Sequence, residues 1–201
     1  MNYKYPVAVI AGILAGRFFM PESWLEPLQH LTMIALYLLL FGIGVNLFAD
    51  SDIGDLLRSI KPRALWVVPL SAAGSIIGCA VAMLFIGDSP WLGAAIGAGF
   101  GWYSLSGVIL AGELGALAGA LAFLSNVLRE LLALMLLPLA IKRCGLAGIT
   151  IGGATTMDTT LALIGKSGDQ MITLSALVHG MALSSLVPVL VPLLAQFVVT
   201  I

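Results

Sequence analysis

An apolar run broken by glycines occupies residues 91–112 and reads WLGAAIGAGFGWYSLSGVILAG. Six glycines and the polar centre WYSLS at positions 102–106 make it a poor candidate for one regular helix. A second interrupted run covers residues 146–165, where GGATTMDTT fills positions 152–160. The chain therefore holds two apolar segments that each contain a polar, glycine-broken centre.

The composition of the 201 residues is that of a membrane protein. Hydrophobic residues make up 60% and charged residues only 9%, whereas soluble proteins carry about 25% charged residues. The net charge of −1 and the lack of a basic stripe argue against nucleic acid as a partner. The two cysteines, Cys79 and Cys144, lie far apart in the sequence and imply neither a disulfide framework nor a metal site. No cofactor is expected.

Five longer apolar runs lie between the charged residues, and each predicts a helix that spans the lipid bilayer. The run after Lys4 continues into further apolar sequence instead of a polar mature domain, so we interpret it as a first spanning helix and not as a signal peptide. We predict an all-α integral membrane protein with about five transmembrane helices and one transmembrane domain over residues 1–201. The predicted spans are Tyr5–Met20, His30–Ala49, Ala64–Gly87, Leu114–Ile141 and Met171–Ile201.

The distribution of Lys and Arg favours re-entry of the two glycine-rich runs over crossing. If both runs cross and the N-terminus is cytoplasmic, five basic residues lie inside and three outside. If each run dips in and returns on the same side, seven lie inside and one outside, which the positive-inside rule prefers. We therefore expect two re-entrant segments that enter from opposite faces. A continuous but unwound crossing helix is the alternative for either run.

Backbone that departs from a helix inside a bilayer leaves polar groups unpaired, so it is tolerated only where it is buried in protein or lines a wet cavity. Paired broken helices of this kind form the midplane binding sites of transporters. Packing alone would explain Gly93 and Gly97, but it explains poorly the Thr-rich run around Asp158. The two runs are therefore predicted to carry the chemistry of the protein.

Asp158 is the sharpest candidate, because a carboxyl group inside a membrane segment is a functional-site hypothesis by default. Its neighbouring threonines, among them Thr155 and Thr156, supply hydroxyls that could line a polar pocket. The alternative is that Asp158 caps a helix near the cytoplasmic surface.

Glu130 is the second acidic candidate, and it shares a helix face with Asn126, four residues earlier. Arg129 lies about 100° around the helix, so a direct pair with Glu130 is not assured. The plain structural alternative is that Arg129 and Glu130 neutralise each other or nearby groups and so lock helices together. Protonation of Glu130 or Asp158 would suit coupling to protons.

Several further polar residues are candidates for a structural or a functional role. His179 in the last helix is a packing histidine or a relay, and Glu113 is a solvated boundary residue or a gate. Asn46 is expected to make an interhelical hydrogen bond. A Ser–His pair of Ser106 and His179 would suit an intramembrane protease, although the glycine expected two residues before such a serine is Ser104 here.

Four motifs in order resemble the lysine exporter family, often called LysO. The first is GFGWYSLSG at positions 99–107, which contains Trp102, Tyr103, Ser104 and Ser106. The others are Asn126-x-x-Arg129-Glu130-Leu131, then GATTMD at positions 153–158, and Val178-His179-Gly180. The resemblance covers nearly the whole chain.

The resemblance implies a transporter and not an enzyme. It implies export of L-lysine and toxic lysine analogues across the plasma or inner membrane of a bacterium or archaeon, in exchange for protons. A channel or a carrier of another small cation or amino acid is the alternative. The substrate-binding or proton-coupling residues that it carries over are Asp158, Glu130, Arg129, Asn126, Thr155, Thr156, Trp102, Tyr103, Ser104, Ser106 and His179.

The chain departs from the family pattern in length. The resemblance places it on the C-terminal two-thirds of longer members, which carry an additional N-terminal block with a buried acid of its own. We therefore expect a small membrane subunit to supply the missing helices, or a second copy of this chain to complete the pathway as a homodimer.

Overall fold

A computed structural model of the chain describes residues 4–19, 21–24, 62–166 and 169–199, together with single positions between 27 and 45. All regular structure in these residues is helical, which confirms the all-α prediction. The α-helices are α1 Lys4–Phe19, α2 Pro62–Ile86, α3 Pro90–Gly97, α4 Tyr103–Leu114, α5 Ala116–Cys144, α6 Leu161–Gly165 and α7 Gln170–Val199. Short 3₁₀ segments cover Glu22–Trp24, Gly145–Ile151 and Gly153–Met157.

The outer surface of the helices is apolar, as it is in proteins surrounded by lipid. Trp66, Phe85 and Leu117 are 68%, 89% and 76% exposed, and a soluble protein rarely leaves large apolar patches uncovered. Among the described residues, three helices are long and apolar enough to cross a membrane: Trp66–Ile86, Gln170–Val199 and α5 together with the 3₁₀ segment that follows it. The fold is that of a multi-pass membrane protein.

The other two predicted spans are less complete in the structure. The first corresponds to α1, whose 16 residues are somewhat fewer than the roughly 20 of a typical spanning helix. The second, His30–Ala49, lies mostly outside the described residues, and so does the predicted hydrogen bond of Asn46. Leu31, Ile34, Leu38, Phe41 and Val45 are its described apolar positions, and each is helical and exposed.

The first glycine-broken run forms a hairpin and not a single helix. It consists of α3, a turn at residues 98–102 and α4, and we call residues 90–114 the first hairpin. Gly93 packs against Cys79 and Gly97 packs against Ser75, so α3 runs antiparallel to α2. The tip of the hairpin therefore lies beside the middle of α2.

The second arm of the first hairpin returns to the end from which the first arm came. Gly107 packs against Phe123 and Gly119 packs against Ala111, so α4 runs antiparallel to α5. The start of α5 belongs to the same core cluster as the start of α3 and the end of α7. We call this the far end of the bundle, because α2 finishes there.

The second glycine-broken run enters from the opposite, near end, where α5 finishes and α7 begins. We call residues 145–165 the second hairpin. Gly148 packs against Ala140 and Ile141 of α5 as the chain turns back into the bundle. On the way out, Ile164 joins a near-end cluster with Leu137 of α5 and residues from the first part of α7. Two re-entrant segments from opposite ends were predicted, and the packing confirms this arrangement.

The tips of the two hairpins meet in the middle of the bundle. The backbone N–H of Ala154 donates to the carbonyl oxygen of Phe100 at 2.8 Å. Phe100 is fully buried and has a φ of 49°, in the left-handed region that non-glycine residues rarely adopt. Gly153, on the facing tip, has a φ of 62°. The polar residues singled out in the sequence cluster around this junction.

Candidate functional site

Asn126 of α5 holds the first hairpin in shape. It is 3% exposed, and its Oδ1 accepts the backbone N–H of Gly101 at 2.7 Å. Its Nδ2 donates to the carbonyl oxygens of Ile96 and Ala122 and to the Ser106 hydroxyl, at 3.2, 2.9 and 3.3 Å. One side chain therefore bonds both arms of the hairpin and its tip.

Arg129 bonds carbonyl oxygens of the second hairpin and a hydroxyl oxygen of α2. Its guanidinium donates to the carbonyl oxygens of Ile151 and Thr150, at 3.4 and 3.2 Å. It also donates to the Ser75 hydroxyl at 2.6 Å, and Ser75 in turn donates to the carbonyl oxygen of Gly97 at 2.7 Å. The two carbonyl oxygens that the guanidinium contacts lie at the C-terminal end of a 3₁₀ segment, where a cation is favourable.

The alternative in which Arg129 pairs with Glu130 does not agree with the geometry. Arg129 points toward α2 and the start of the second hairpin. Glu130 instead accepts a hydrogen bond from the Thr159 hydroxyl, which follows the tip of that hairpin. Within the residues that the structure describes, no carboxylate lies at ion-pair distance from Arg129. The two side chains therefore contact different groups and do not neutralise each other.

Glu130 and Asp158 are joined by one threonine hydroxyl. The Thr159 Oγ1 donates to Glu130 Oε1 at 2.6 Å and lies 3.3 Å from Asp158 Oδ1. The Thr159 backbone N–H also donates to Asp158 Oδ1, at 2.5 Å. The two acids come from α5 and from the second hairpin, 28 positions apart in the sequence. Folding therefore brings the two carboxyl groups to one hydroxyl, and we call Glu130 and Asp158 the carboxyl pair.

The carboxyl pair opens into a cavity of about 310 Å³, which we call the acidic cavity. Trp102 and Tyr103 of the first hairpin form part of its wall, and the Tyr103 ring packs edge-on against Phe123 with centroids 5.4 Å apart. The remaining walls come from both hairpin tips and from Ser184 of α7. The lining residues are Gly101, Trp102, Tyr103, Ser104, Glu130, Ala154, Thr155, Met157, Asp158, Thr159 and Ser184.

A groove on the opposite side of the tips carries the positive charge, and we call it the basic groove. It consists of two adjoining cavities of about 360 and 370 Å³, which share Gly74, Ser75 and Arg129. Asn126 also lines it. Among the described residues, a Cβ added at Gly74 or Gly78, which border the groove, would meet nothing within 4 Å. The tips of the hairpins thus separate an acidic from a basic compartment.

The threonines of the second hairpin shape its backbone. Thr155 and Thr156 each donate to the carbonyl oxygen three residues earlier, at 2.9 and 2.8 Å. Thr160 donates to the Thr155 carbonyl oxygen at 2.9 Å. Of these three, Thr155 also borders the acidic cavity. The hydroxyls thus satisfy backbone groups that a regular helix would have paired.

His179 is 1% exposed and bonds Thr156, with 3.1 Å between Nδ1 and the hydroxyl oxygen. Because the Thr156 hydroxyl donates to Gly153, His179 Nδ1 must carry a proton and donate to it. The hydroxyl of Ser106 donates to the Trp102 carbonyl oxygen and accepts from Asn126. Ser106 and His179 thus have different partners and do not form a serine–histidine pair.

The structure sorts the predicted site residues into three groups. Asp158, Glu130, Trp102, Tyr103, Ser104 and Thr155 line the acidic cavity, Arg129 and Asn126 line the basic groove, and Ser106, Thr156 and His179 are buried in packing around the tips. Glu113 is exposed near the end of α4, as expected of a boundary residue.

Two functional-site candidates escaped the sequence reasoning. Thr159 was noted only as one threonine of a run, although it directly follows Asp158. Ser75 lies between Gly74 and Gly78 in an otherwise apolar helix, and nothing in the sequence connects it with Arg129, 54 residues later.

Two interrupted helices enter this membrane-type bundle from opposite ends and meet beside partly buried charged residues, and this arrangement defines a class of protein. It is the class of multi-pass membrane proteins with paired broken helices, which includes many secondary transporters. Within that class, the chain belongs to the lysine exporter family: a family profile described as "Lysine exporter LysO" matches residues 7–195. No solved structure matches the chain significantly.

Two curated relatives agree with this assignment. One is "Lysine exporter LysO" of Escherichia coli K12, 37% identical over 188 residues, which are 90% of this chain and 62% of that protein. The chain thus spans less than two-thirds of the length of that relative. The other is named "Putative lysine exporter" in Haemophilus influenzae, 33% identical over 190 residues, which are 94% of this chain and 96% of that protein.

Proposed function

We propose that this chain exports L-lysine and lysine analogues across the plasma membrane in exchange for protons. The observation that carries the proposal is that Glu130 and Asp158 share one cavity and one hydroxyl donor. The names of the two relatives support lysine as the substrate.

The acidic cavity suits an ammonium group in charge and in chemistry. An ammonium has three N–H donors and no acceptor, and carboxylate oxygens are the strong acceptors for such donors. The aromatic side chains of Trp102 and Tyr103 add surfaces that attract cations. A volume of about 310 Å³ lies within the range of small-molecule sites, about 300–1,000 Å³.

The same two carboxyl groups supply a simple route to exchange. A carboxylate that binds a proton loses the negative charge that attracts an ammonium, so a proton and a lysine side chain compete for Glu130 and Asp158. Competition of two cations for one buried site is the requirement for antiport, provided that the site opens to each side in turn. Meeting hairpins from opposite ends would provide the two gates.

Arg129 and the basic groove support a second element of the proposal. A partly buried cation is costly without a counter-charge, and among the described residues nothing lies within 4 Å of a Cβ placed at Gly74 or Gly78, so this part of the structure leaves room for a further helix. We propose that a small membrane subunit, or a second copy of this chain, completes the transport pathway. Purification of the chain as an isolated monomer that still exports lysine would contradict this element.

The proposed function is tested by uptake of radiolabelled lysine into inverted membrane vesicles, with and without an imposed proton gradient. We expect gradient-driven uptake with the wild-type chain and loss of it in Asp158→Asn. Asp88→Asn, in the exposed turn between α2 and α3, is the matched control and should transport normally. Equal uptake by Asp158→Asn and wild type would remove Asp158 from the mechanism. Wild-type uptake no higher than that of vesicles without the protein would refute lysine export.

A further inference from the structure

Thr159 occupies a special position between the two acids. Its side chain and its backbone N–H both contact Asp158 Oδ1, and its hydroxyl makes a short bond of 2.6 Å to Glu130 Oε1. Of the hydroxyl groups that the structure describes in the acidic cavity, this is the one bonded to both carboxyl groups. The connection joins α5 to the second hairpin directly at the charged centre.

A single hydroxyl carries a single proton, so Thr159 can donate fully to one carboxyl group at a time. The shorter contact, to Glu130, is the stronger bond, and the 3.3 Å contact to Asp158 is the weaker one. The hydroxyl thus places its hydrogen between two carboxyl groups, which repel each other when both are ionised.

We propose that Thr159 is a positioning residue that holds the carboxyl pair together in the empty site and occupies the place of an ammonium N–H. The inference rests on the function proposed above and deepens it. When a primary ammonium enters the acidic cavity, it donates to Glu130 and Asp158 in place of the hydroxyl. The freed Thr159 Oγ1 then accepts the third ammonium N–H.

After the replacement, both carboxyl groups still have a hydrogen-bond donor. Each carboxyl group exchanges a neutral donor for a charged one, which forms a stronger bond. A threonine suits this role because its branched side chain has few rotamers, so the hydroxyl is held in a defined direction. Binding would therefore require little rearrangement of the backbone around the hairpin tips.

The first test measures lysine uptake into inverted vesicles as a function of lysine concentration. Thr159→Val removes the hydroxyl at nearly constant shape, and we expect its KM for lysine to rise at least about tenfold with Vmax within about threefold. Thr159→Ser retains the hydroxyl and should stay within about threefold of wild type in KM. Thr173→Val is the matched control, because the lost hydroxyl bonds the backbone carbonyl oxygen of Asp169, just before α7.

The second test does not depend on lysine transport. Dicyclohexylcarbodiimide modifies carboxyl groups in membranes, and mass spectrometry locates the modified residue. Without lysine, Thr159→Val should change the labelling rate of Glu130 or Asp158 at least about threefold. Thr159→Ser and Thr173→Val should label like wild type. Thr159→Ala, which also lacks the hydroxyl, should behave like Thr159→Val and replaces it if the valine variant does not fold.

The two tests separate failure of the inference from failure of the proposed function. Unchanged labelling in both hydroxyl-free variants would overturn the role of Thr159, whether or not wild type transports lysine. A changed labelling rate with an unchanged KM would overturn the exchange of hydroxyl for ammonium. Wild-type vesicles that take up no lysine would refute the proposed function and the ammonium exchange together, while the labelling rate would still decide whether Thr159 holds the pair.

Discussion

Ala154 and Phe100 bond each other through their backbones at 2.8 Å, where the tips of the two hairpins meet. Inside a membrane, an unpaired N–H or carbonyl group costs several kcal/mol, on the order of a whole hydrogen bond in a nonpolar solvent. Each hairpin therefore supplies a partner that the other hairpin lacks. Asp158 lies four residues after Ala154, so this contact also determines how deep in the bundle the acidic cavity lies.

Gly180 allows α7 to lie directly against the second hairpin, and we expect Gly180→Ala to destabilise the fold. A Cβ at this position would meet the backbone N of Met157 and lie 2.8 Å from the carbonyl oxygen of Ala154. Crowding of this kind costs about 1–3 kcal/mol. Thermal unfolding in detergent measures it. Gly112→Ala is the control, because a Cβ there meets nothing within 4 Å, and it should not lower the unfolding temperature. Equal unfolding temperatures for the two variants would contradict the packing described for Gly180.

Asn126→Ala should loosen the first hairpin. The substitution leaves the buried N–H of Gly101 without its acceptor, and an unsatisfied buried group costs about 1–3 kcal/mol. The loss is measured as a lower free energy of unfolding. Ser125→Ala, at the exposed neighbouring position, should change it by less than about 0.5 kcal/mol. If Asn126→Ala unfolds like Ser125→Ala, Asn126 does not hold the hairpin.

Arg129 and Ser75 should be energetically coupled, because the guanidinium donates to the serine hydroxyl at 2.6 Å. Lysine cannot reproduce the planar fork that reaches Ser75 and the second hairpin together. In a double-mutant cycle of Arg129→Lys and Ser75→Ala, we expect a coupling of about 0.5–3 kcal/mol in unfolding free energy. Ser185→Ala, which bonds within α7, should be additive with Arg129→Lys. If the effects of Arg129→Lys and Ser75→Ala were also additive, the contact between Arg129 and Ser75 would not contribute to the unfolding free energy.

Glu130 and Asp158 should behave as one unit in transport. We expect Glu130→Gln and Asp158→Asn each to lower lysine uptake at least about tenfold, because each removes an acceptor for a charged donor. The uptake rate of the double variant should be at most about threefold lower than that of the less active single variant, since the effects of groups that act together are not additive. Uptake rates in inverted vesicles provide the comparison. Multiplicative losses would mean that the two acids act at separate steps.

The sequence predicted the elements of the fold with considerable success. Composition established a membrane protein, and the glycine-broken runs at 91–112 and 146–165 correspond to the two hairpins. The distribution of basic residues predicted re-entry from opposite ends. These features are readable because lipid imposes long apolar spans and restricts charge on the exposed surface, which leaves a pattern in a single chain.

The partners of the polar residues depended on the tertiary structure. The sequence singled out Asp158 and Glu130, but it gave no reason to prefer Thr159 over its neighbours, and it left open a pairing of Arg129 with Glu130. Side-chain partners depend on crossing helices and on the backbone of the hairpin tips, which leave no periodic signal.

What the sequence determined by itself was therefore the class of fold, the two interrupted segments and the residue types available for chemistry. The tertiary structure alone decided that the acids share one hydroxyl and that the arginine lies on the other side of the tips. The physical reason is that burial in lipid acts on every residue of a segment, whereas a hydrogen bond depends on a few ångströms between groups that are distant in the chain.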